Sequence, residues 1–413
     1  MKILFLCNKS PWPPKEGGPM AMYMLIEGLL NAGHEVKVIA INSYKYNIDP
    51  KTIPIEFSLK TNIEFVTVDL RIKPFRAFLN LFTGRSYHIE RFISNGFRQK
   101  LTEILQRSEF DIVQLETLSM GPYIHDIRKY SRAKIVLRAH NIEHLIWQRV
   151  ADETRNPLKR WYLNHLAVTL KKYEIALLNK VDGIAAITPN DADFFRKQMD
   201  HGEIPASKDQ QQASHIPVTH ITFGVDPAAY PIDPEKAEYP SLFTIGAMNW
   251  IPNQEGIRWF LQNVWIDIHN QFPTLKYYLA GREMPEWMRS LNLPNVIVMG
   301  EVENAVDFIS SKAIMIVPLF SGSGIRIKII EGMAAGKIII STALGAEGID
   351  CTNHKDILLA NLPCEFFDMI SICMADRKGG EMIGKNARKL VETTYNRDLI
   401  IRKLEAFYQQ IAG

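Results

Sequence analysis

Short apolar segments alternate with longer amphipathic ones along the first half of the chain, and this alternation restricts the fold more than any other feature. Apolar strands separated by helices are typical of a parallel sheet that is covered by helices on both faces. Strands are predicted at residues 3–7, 36–41, 63–70, 111–115, 134–139 and 183–188. Helices are predicted between most of them, most clearly at residues 18–31 and 158–180.

The same alternation starts again in the second half. A strand at 218–223 completes the first set, and the border between two domains is placed just after it. The second set of strands is predicted at residues 242–247, 275–280, 296–299, 314–319 and 338–342, with a helix at 254–270. Two α/β sheets in tandem are therefore the simplest architecture. The polar segment 199–214 is predicted to be a surface loop, and the segment 227–240, with four prolines, a linker.

Composition excludes several classes of protein. The 413 residues carry a formal net charge of only +3, which argues against a protein that coats nucleic acid. The four cysteines form no CxxC pair, so we expect a reducing, cytoplasmic compartment and no structural zinc. No apolar run reaches the ~18 residues of a membrane-spanning helix, and the apolar start is too short for a signal peptide.

The first candidate site follows the first predicted strand. Its loop, residues 8–19, ends in Gly17 and Gly18 at the predicted start of a helix. Two glycines there let the backbone N–H groups approach an anion closely. The pattern is not GxGxxG, which disfavours a dinucleotide-dependent oxidoreductase. A turn without any ligand remains an equal alternative.

The second candidate is His140, directly after the predicted strand 134–139. Ligands of open parallel sheets collect at the carboxyl ends of the strands, so a reactive group is useful there. His140 and His144 are four residues apart, which is the spacing of a metal pair on a helix, but no further ligands are spaced nearby. A catalytic histidine and one that only makes a local hydrogen bond both remain open.

The third candidate carries the strongest signal and lies at residues 317–336. A buried strand ends in a loop with Ser323 and Gly324, and the cations Arg326 and Lys328 precede a helix that contains Glu331. Glycines, cations and a helix start suit a diphosphate, and the carboxylate suits the two vicinal hydroxyls of a ribose. The alternative is an amphipathic strand, because apolar and charged residues alternate over 325–329.

The chain resembles the retaining glycosyltransferases of the GT-B fold, specifically glycosyltransferase family 4. The resemblance is carried by residues 318–348, Gly17-Gly18, His140, and residues 223–226 and 246–250. It implies two Rossmann-like α/β domains that face each other across a cleft. Residues 1–223 would be the acceptor-side domain and 224–395 the domain that binds the nucleotide sugar. The last helix, within 396–413, would return to the first domain.

The sequence departs from that family at three positions. Ser323 stands where the family often has the first of two glutamates, and Glu331 matches the second. Ala247 and Glu255 stand where the family often has the two cations that clamp the diphosphate. We therefore expect Arg326 and Lys328 to act as a relocated clamp, which we call the cation pair. The alternative is that both are solvated surface cations.

The resemblance implies transfer of a sugar from a nucleotide diphosphate sugar to an acceptor hydroxyl with retention. Gly17, Gly18, Arg326 and Lys328 would stabilise the leaving diphosphate, and His140 would position the sugar. The other donor-binding residues would be Gly246, Ser323, Gly324 and Glu331. No cofactor and no metal ion would be required, since the one DxD match, residues 191–193, is explained by the start of a helix. An epimerase or phosphorylase of the same fold, and a non-catalytic binding protein, remain alternatives.

The segment 71–101 is strongly basic, with seven cations against Glu90 and so a net charge of +6. Within it Phe75, Phe78 and Phe82 fall on one face of a helix. Such a helix suits the surface of an anionic membrane, and equally suits packing on its own domain. A saccharide or lipid-linked acceptor, in polysaccharide or glycolipid synthesis at the inner membrane surface, is the corresponding expectation.

Overall fold

The computed structural model describes residues 1–200, 216–232, 237–322 and 324–413. The chain divides into two compact units, which we call unit 1 (Met1–Thr222 with Ile401–Gly413) and unit 2 (Phe223–Ile400). Most of the predicted loop 199–214, part of the predicted linker 227–240, and Ser323 lie outside the described residues. The acceptor-side and donor-side roles of the two units stay predictions.

Unit 1 is built on a parallel sheet, as the apolar strands predict. Among the described residues the sheet has seven strands in the order β3-β2-β1-β4-β5-β6-β7. The strands are β1 (Lys2–Cys7), β2 (Glu35–Asn42), β3 (Glu64–Thr67), β4 (Ile112–Glu116), β5 (Lys134–Ala139), β6 (Gly183–Ala186) and β7 (Val218–His220). Because β4 pairs with both β1 and β5 in parallel, the carboxyl ends of these three strands share one edge of the sheet.

Helices cover this sheet and bury its central strands. They are α1 (Gly17–Asn31), α2 (Ile55–Thr61), α3 (Pro74–Asn80), α4 (Tyr87–Glu90), α5 (Asn95–Arg107), α6 (Ile124–Tyr130), α7 (Glu143–Glu153), α8 (Pro157–Leu178) and α9 (Pro189–Asp200). Every residue of β4 is buried, including the polar Gln114 and Glu116. Burying a polar side chain is unfavourable unless it is hydrogen-bonded. The hydrogen-bond partners of Gln114 and Glu116 therefore indicate what these two residues do.

Unit 2 repeats the architecture with a six-stranded parallel sheet in the described residues, in the order β10-β9-β8-β11-β12-β13. The strands are β8 (Ser241–Ala247), β9 (Lys276–Arg282), β10 (Val296–Gly300), β11 (Ile314–Val317), β12 (Ile338–Ser341) and β13 (Leu358–Leu359). The helices are α10 (Ile251–Phe260), α11 (Ile266–Gln271), α12 (Glu286–Arg289), α13 (Ala305–Ser310), α14 (Ile327–Ala334), α15 (Pro363–Ala375), α16 (Arg377–Leu390) and α17 (Arg397–Ala412), of which α17 continues into unit 1.

Most predicted strands are present with shifted ends, and three differences concern the site. The predicted strand 314–319 stops at Val317, because Pro318 has no N–H to donate to a neighbouring strand. The amphipathic-strand alternative for 325–329 is wrong, since α14 begins at Ile327. The predicted helix 254–270 begins earlier, at Ile251, and runs through a π-helical turn at Leu261–Trp265.

Within the described ranges, every helix is either too short or too polar to span a bilayer.

Candidate functional site

In unit 2 the loop after β11 turns on two glycines with left-handed backbone. Gly322 has a φ of 104° and Gly324 a φ of 83°, a region that side chains with a Cβ rarely adopt. A Cβ at Gly322 would also lie 2.8 Å from the ring of Trp250. The loop therefore needs glycine both for its conformation and for its close approach to Trp250. Ser323, between the two, is outside the described residues.

Arg326 lies at the N-cap of α14 and is buried at 5% exposure. Its guanidinium donates a hydrogen bond to the carbonyl of Gly324 and stands 5.4 Å from the centre of the Trp250 ring. Burial lowers the pKa of Arg326, against the opposing effect of the Glu347 charge. A buried guanidinium is not a solvated surface cation, so this alternative fails for Arg326.

Lys328 lies in the first turn of α14 and is half-buried. Its Nζ donates to Oδ1 of Asn253 at 2.8 Å, and Nδ2 of Asn253 donates to the carbonyl of Ala247 at 2.9 Å. Burial, and then the charge of Arg326, lower the pKa of Lys328 to about 7. A bound anion would offset both effects and favour the charged ammonium.

A glycine in α10 brings Asn253 to this position. A Cβ at Gly256 would lie 1.8 Å from the carbonyl oxygen of Pro318, far inside van der Waals contact. Only glycine lets α10 approach the end of β11 this closely. Gly246 at the end of β8 is also close, because a Cβ there would lie 3.8 Å from Nζ of Lys328. Helix α10, the ends of β8 and β11, and Lys328 therefore lie close together.

Glu331 lies on the same face of α14 as Lys328, one turn further along the helix. Its Oε1 accepts a hydrogen bond of 3.0 Å from the hydroxyl of Tyr230. Burial raises the pKa of Glu331, and the bond from Tyr230 opposes that shift. The structure thus gathers five sequence-predicted residues within unit 2, namely Gly246, Gly324, Arg326, Lys328 and Glu331.

In unit 1 the structure pairs His140 with a residue that sequence reasoning missed. Nε2 of His140 lies 2.6 Å from Oε2 of Glu116, the last residue of β4. Arg138, with no exposed surface, places its Nε 3.7 Å from the same oxygen, and Gln114 donates to Oε1 at 2.5 Å. Burial alone would raise the pKa of Glu116, but His140 and Arg138 outweigh it and hold the pKa below its usual range.

An ionised Glu116 can only accept hydrogen bonds, so Nε2 of His140 carries the proton that points to it. This fixes the ring and leaves Nδ1 as the nitrogen that can bind another group. The hydroxyl of Tyr408, in α17, donates to Oε1 of Gln114 and extends the network to the end of the chain. His140 therefore makes a local hydrogen bond, and the same bond orients it for chemistry.

The glycine pair and the second histidine have separate surroundings. Gly17 and Gly18 begin α1, and a Cβ at Gly18 would lie 3.0 Å from Cε of Lys9. His144 places its Nδ1 2.5 Å from Oε2 of Glu174, and the two oxygens of this carboxylate also accept the backbone N–H groups of Glu143 and His144 at the start of α7. His144 is thus used in packing α7 and not in a metal pair with His140. No group of three or more His, Cys, Asp or Glu side chains in the described part of the chain is placed to hold a metal ion.

The basic segment 71–101 is only partly helical. Ala77 of its first helix, α3, belongs to a buried apolar cluster that includes Leu163 and Leu166 of α8. The aromatic side chains lie outside this cluster, and Phe75 is 74% and Phe82 78% exposed. The helix therefore packs on its own unit, but not through the aromatic face that the spacing predicts.

Comparison with known proteins gives two sequence matches. Residues 239–376, within unit 2, match the model of the family described as Glycosyl transferases group 1. Over 408 residues the chain is 22% identical to a Klebsiella pneumoniae protein described as an uncharacterized 44.6 kDa protein in the cps region, and the match covers 96% of each chain.

Solved structures of similar fold cover nearly the whole chain. Sucrose-phosphate synthase from Thermosynechococcus elongatus matches with a TM-score of 0.69 and 16% identity, over 100% of this chain and 99% of that one. Anabaena Alr3699/HepE in complex with UDP matches with a TM-score of 0.67 and 14% identity, over 99% and 100%. The pneumococcal O-GlcNAc transferase GtfA, in complex with UDP and GlcNAc, matches with a TM-score of 0.65 and 10% identity, over 99% of each chain.

These likenesses show the fold, and the family match covers the segment that holds Arg326, Lys328 and Glu331. The two parallel sheets and the similar structures confirm the predicted GT-B fold. Residues 239–376 match the glycosyl transferases group 1 family model, and the chain is a glycosyltransferase with the GT-B fold.

Proposed function

We propose that the chain is a retaining glycosyltransferase of family 4 that moves a sugar from a nucleoside diphosphate sugar to an acceptor hydroxyl. One observation carries the proposal: the cation pair Arg326 and Lys328 lies one helical turn from Glu331, beside a glycine loop. The cations suit the two phosphates, and the carboxylate suits the ribose hydroxyls. Residues of all three types within reach of one ligand are what a nucleoside diphosphate requires.

The departing diphosphate gains negative charge as the bond to the sugar breaks. A fixed guanidinium can bind two of its oxygens, and an ammonium acts as a point charge. Both are held in place before the reaction, Arg326 by Gly324 and Lys328 by Asn253. Such preorganised charge lowers the barrier more than mobile charge does. The diphosphate itself can take the proton of the incoming hydroxyl, so this proposal needs no protein nucleophile, cofactor or metal ion.

In unit 1 we propose that His140 hydrogen-bonds the sugar as it is transferred, oriented by Glu116 through the bond of 2.6 Å. His140→Ala is expected to lower kcat by about 10²-fold, a size typical of positioned catalytic groups, with little change in donor Kd. Loss of donor affinity with unchanged kcat would instead make His140 a binding residue. Gly17 and Gly18, at the start of α1, are proposed to donate backbone N–H groups to the leaving diphosphate.

The acceptor is proposed to be a saccharide or a lipid-linked saccharide of a cell-envelope polysaccharide or glycolipid. The support is the Klebsiella pneumoniae relative, which is described as a protein in the cps region. Exposed Phe75 and Phe82 among the cations of 71–101 support a cytoplasmic protein that contacts the inner membrane surface. HepE was crystallised with UDP and with UDP-glucose, which makes UDP the first nucleotide to test.

The experiment is a thermal-shift screen of the full chain against UDP, GDP, ADP and their sugars. A ligand at about 100 times its Kd stabilises a protein by about 2.7 kcal/mol, which is readily measured. We expect one nucleotide series to stabilise the protein, and we expect Glu331→Ala to reduce that stabilisation by about half at the same ligand concentration. No stabilisation by any nucleotide would overturn the proposal.

Product analysis with the nucleotide sugar that binds separates the alternatives. Release of free nucleotide in the presence of saccharide acceptors supports transfer. Recovery of an epimerised nucleotide sugar would instead identify an epimerase, and binding without any turnover would identify a binding protein. Retention is checked by the anomeric configuration of the product.

A further inference from the structure

A groove of about 890 Å³ opens on the surface of unit 1, between α6, α8 and the segment 84–93. Its described lining includes neither Glu116 nor His140, so it is separate from the site built on those residues. The segment 84–93 begins two residues after the exposed Phe82 of the basic segment. The groove therefore adjoins in sequence the surface that is proposed to contact a membrane.

Cations outnumber carboxylates along the groove. Four cationic side chains line it against one carboxylate: they are Arg85, Arg128, Lys172 and Lys180, against Glu90. Arg85 faces Glu90 at 3.6 Å, and Arg128 faces Asp182 at 2.8 Å. No carboxylate in the described residues lies within ion-pair distance of either lysine. The unpaired excess of positive charge favours an anionic ligand.

Two buried hydroxyls in the lining have no hydrogen-bond partner among the described residues. They are Oγ of Ser86, a residue at 4% exposure, and Oη of Tyr173. Native proteins leave few buried polar groups unpaired, so such atoms point to a bound partner that supplies oxygens. A Cβ at Gly121 would lie 2.4 Å from Oη of Tyr173, so the glycine makes room for this side chain.

The rest of the wall is apolar. Ile89, Ile124 and Leu177 are buried beneath the groove, and Ile93 is 45% exposed in its lining. A small hydrophilic anion would gain nothing from these side chains. A hydrocarbon chain would cover Ile93, the exposed member of this wall, which is favourable in proportion to the apolar area removed from water.

We propose that this groove binds one anionic phospholipid, with its phosphate at Lys172 and the hydroxyls of Ser86 and Tyr173 and its acyl chain along the isoleucines. The inference deepens the proposed function and rests on it, since it assumes a protein that works at a membrane surface. The lipid would hold unit 1 at the bilayer by a specific contact, in addition to the exposed phenylalanines of α3.

The test uses dihexanoyl phosphatidic acid, a water-soluble short-chain lipid, titrated calorimetrically into the full chain. We expect binding of one lipid per chain, and binding at least fivefold weaker for dihexanoyl phosphatidylcholine and for inorganic phosphate. Lys172→Glu is expected to weaken binding at least fivefold. Lys171→Glu is the matched control, because Lys171 is the adjacent exposed lysine and does not line the groove.

A second variant removes an oxygen contact without changing charge. Tyr173→Phe is expected to weaken lipid binding severalfold while leaving the melting temperature unchanged or higher, because the hydroxyl has no partner in the free protein. Equal affinity in Lys172→Glu and Lys171→Glu, equal affinity for the neutral lipid, or no binding at all would overturn the proposal.

The thermal shift with nucleotides is measured on the same samples. Nucleotide binding without lipid binding overturns the groove proposal alone. Lipid binding without nucleotide binding overturns the proposed function alone.

Discussion

Lys328 donates a hydrogen bond of 2.8 Å to Asn253, a residue 75 positions earlier in the chain. Asn253 is itself held by its bond to the carbonyl of Ala247, at the end of β8. The ammonium therefore has a fixed position although its side chain is long and flexible. Lysine loses much rotamer freedom when it is fixed, and here the protein has met that cost before any ligand arrives.

Asn253→Ala is expected to weaken the binding of UDP by about 10- to 100-fold, because a hydrogen bond to a charged group contributes about 1.5–3 kcal/mol. Affinity for uridine should not change, since uridine has no phosphates. Calorimetric titration with both ligands measures the contrast. Asn263→Ala is the control, because Asn263 is exposed and, among the described residues, its side chain bonds only the carbonyl of Trp259. Equal losses for uridine and UDP would show that Asn253 supports the fold of the site and not the cation.

The pKa of Lys328, about 7, predicts how UDP affinity depends on pH. Only the protonated ammonium attracts the diphosphate, so affinity is highest below pH 7 and falls above it by up to tenfold per pH unit. Titrations between pH 7 and pH 9 avoid the second ionisation of the phosphate near pH 6. Lys328→Arg is expected to bind with little pH dependence over this range. A flat profile in the wild type would place the diphosphate away from Lys328.

Arg326→Ala and Lys328→Ala are each expected to lower turnover by about 10²–10³-fold, the scale of donors to a developing anion. The double variant should lose less than the product of the two single losses, because both cations act on one diphosphate. Single-turnover kinetics with saturating donor, on the wild type, both single variants and the double variant, measures these losses. If the losses multiply, the two residues act on separate groups. If neither variant loses activity, Lys9 and Lys15 of the first loop become the candidates.

Glu331→Ala is expected to weaken uridine and UDP equally, by about tenfold, because the lost contact is to the ribose that both contain. Substitution of Asn253 or Lys328 is expected, by contrast, to weaken UDP and to leave the affinity for uridine unchanged. Tyr230→Phe is a useful comparison, since it removes the bond of 3.0 Å to Glu331 and keeps the carboxylate. Unchanged uridine affinity in Glu331→Ala would remove this carboxylate from the site.

Glu116→Ala is expected to destabilise the protein by about 3–5 kcal/mol, because it leaves the buried Arg138 without its charged partner. Urea denaturation of the wild type and of Glu116→Gln gives the contribution of the charge to the free energy of unfolding, because glutamine keeps the shape of the side chain and removes its charge. The depressed pKa of Glu116 means that its charge stabilises the fold above the unfolded pKa of about 4.3. That contribution disappears as the pH falls through the lower pKa of the folded state. The wild type and Glu116→Gln should therefore approach the same free energy of unfolding in acid.

Local pattern explains which parts of the site the sequence could predict. Four of the site residues lie close together in the sequence, so their spacing alone was enough to predict that they share a site. They are Gly324, Arg326, Lys328 and Glu331. The partners that fix them come from far away, since Asn253 is 75 and Tyr230 101 residues from the side chains that they bond. Tyr230 even lies in the segment predicted to be a linker. Spacing carries no information about such contacts, which arise only when the strands are ordered in a sheet.

Glu116 was missed for a different reason. The apolar run of its strand was predicted to end at residue 115, which left the glutamate in a loop. In the structure it is the last residue of β4 and fully buried. A carboxylate at the end of an apolar strand, with an arginine and a histidine ending the next, is a signal that the sequence does contain. Pairing the ends of neighbouring predicted strands would have found it.

The network beneath His140 includes Tyr408, and residues 401–413 belong to unit 1 although they follow the whole of unit 2 in sequence. During synthesis the ribosome must therefore complete the whole of unit 2 before unit 1 receives its final segment. At about 5–20 residues per second, unit 1 waits for about 9–36 seconds with Gln114 lacking its tyrosine. A nascent chain stalled at residue 400 would contain every residue of the second unit and would lack the final segment of the first.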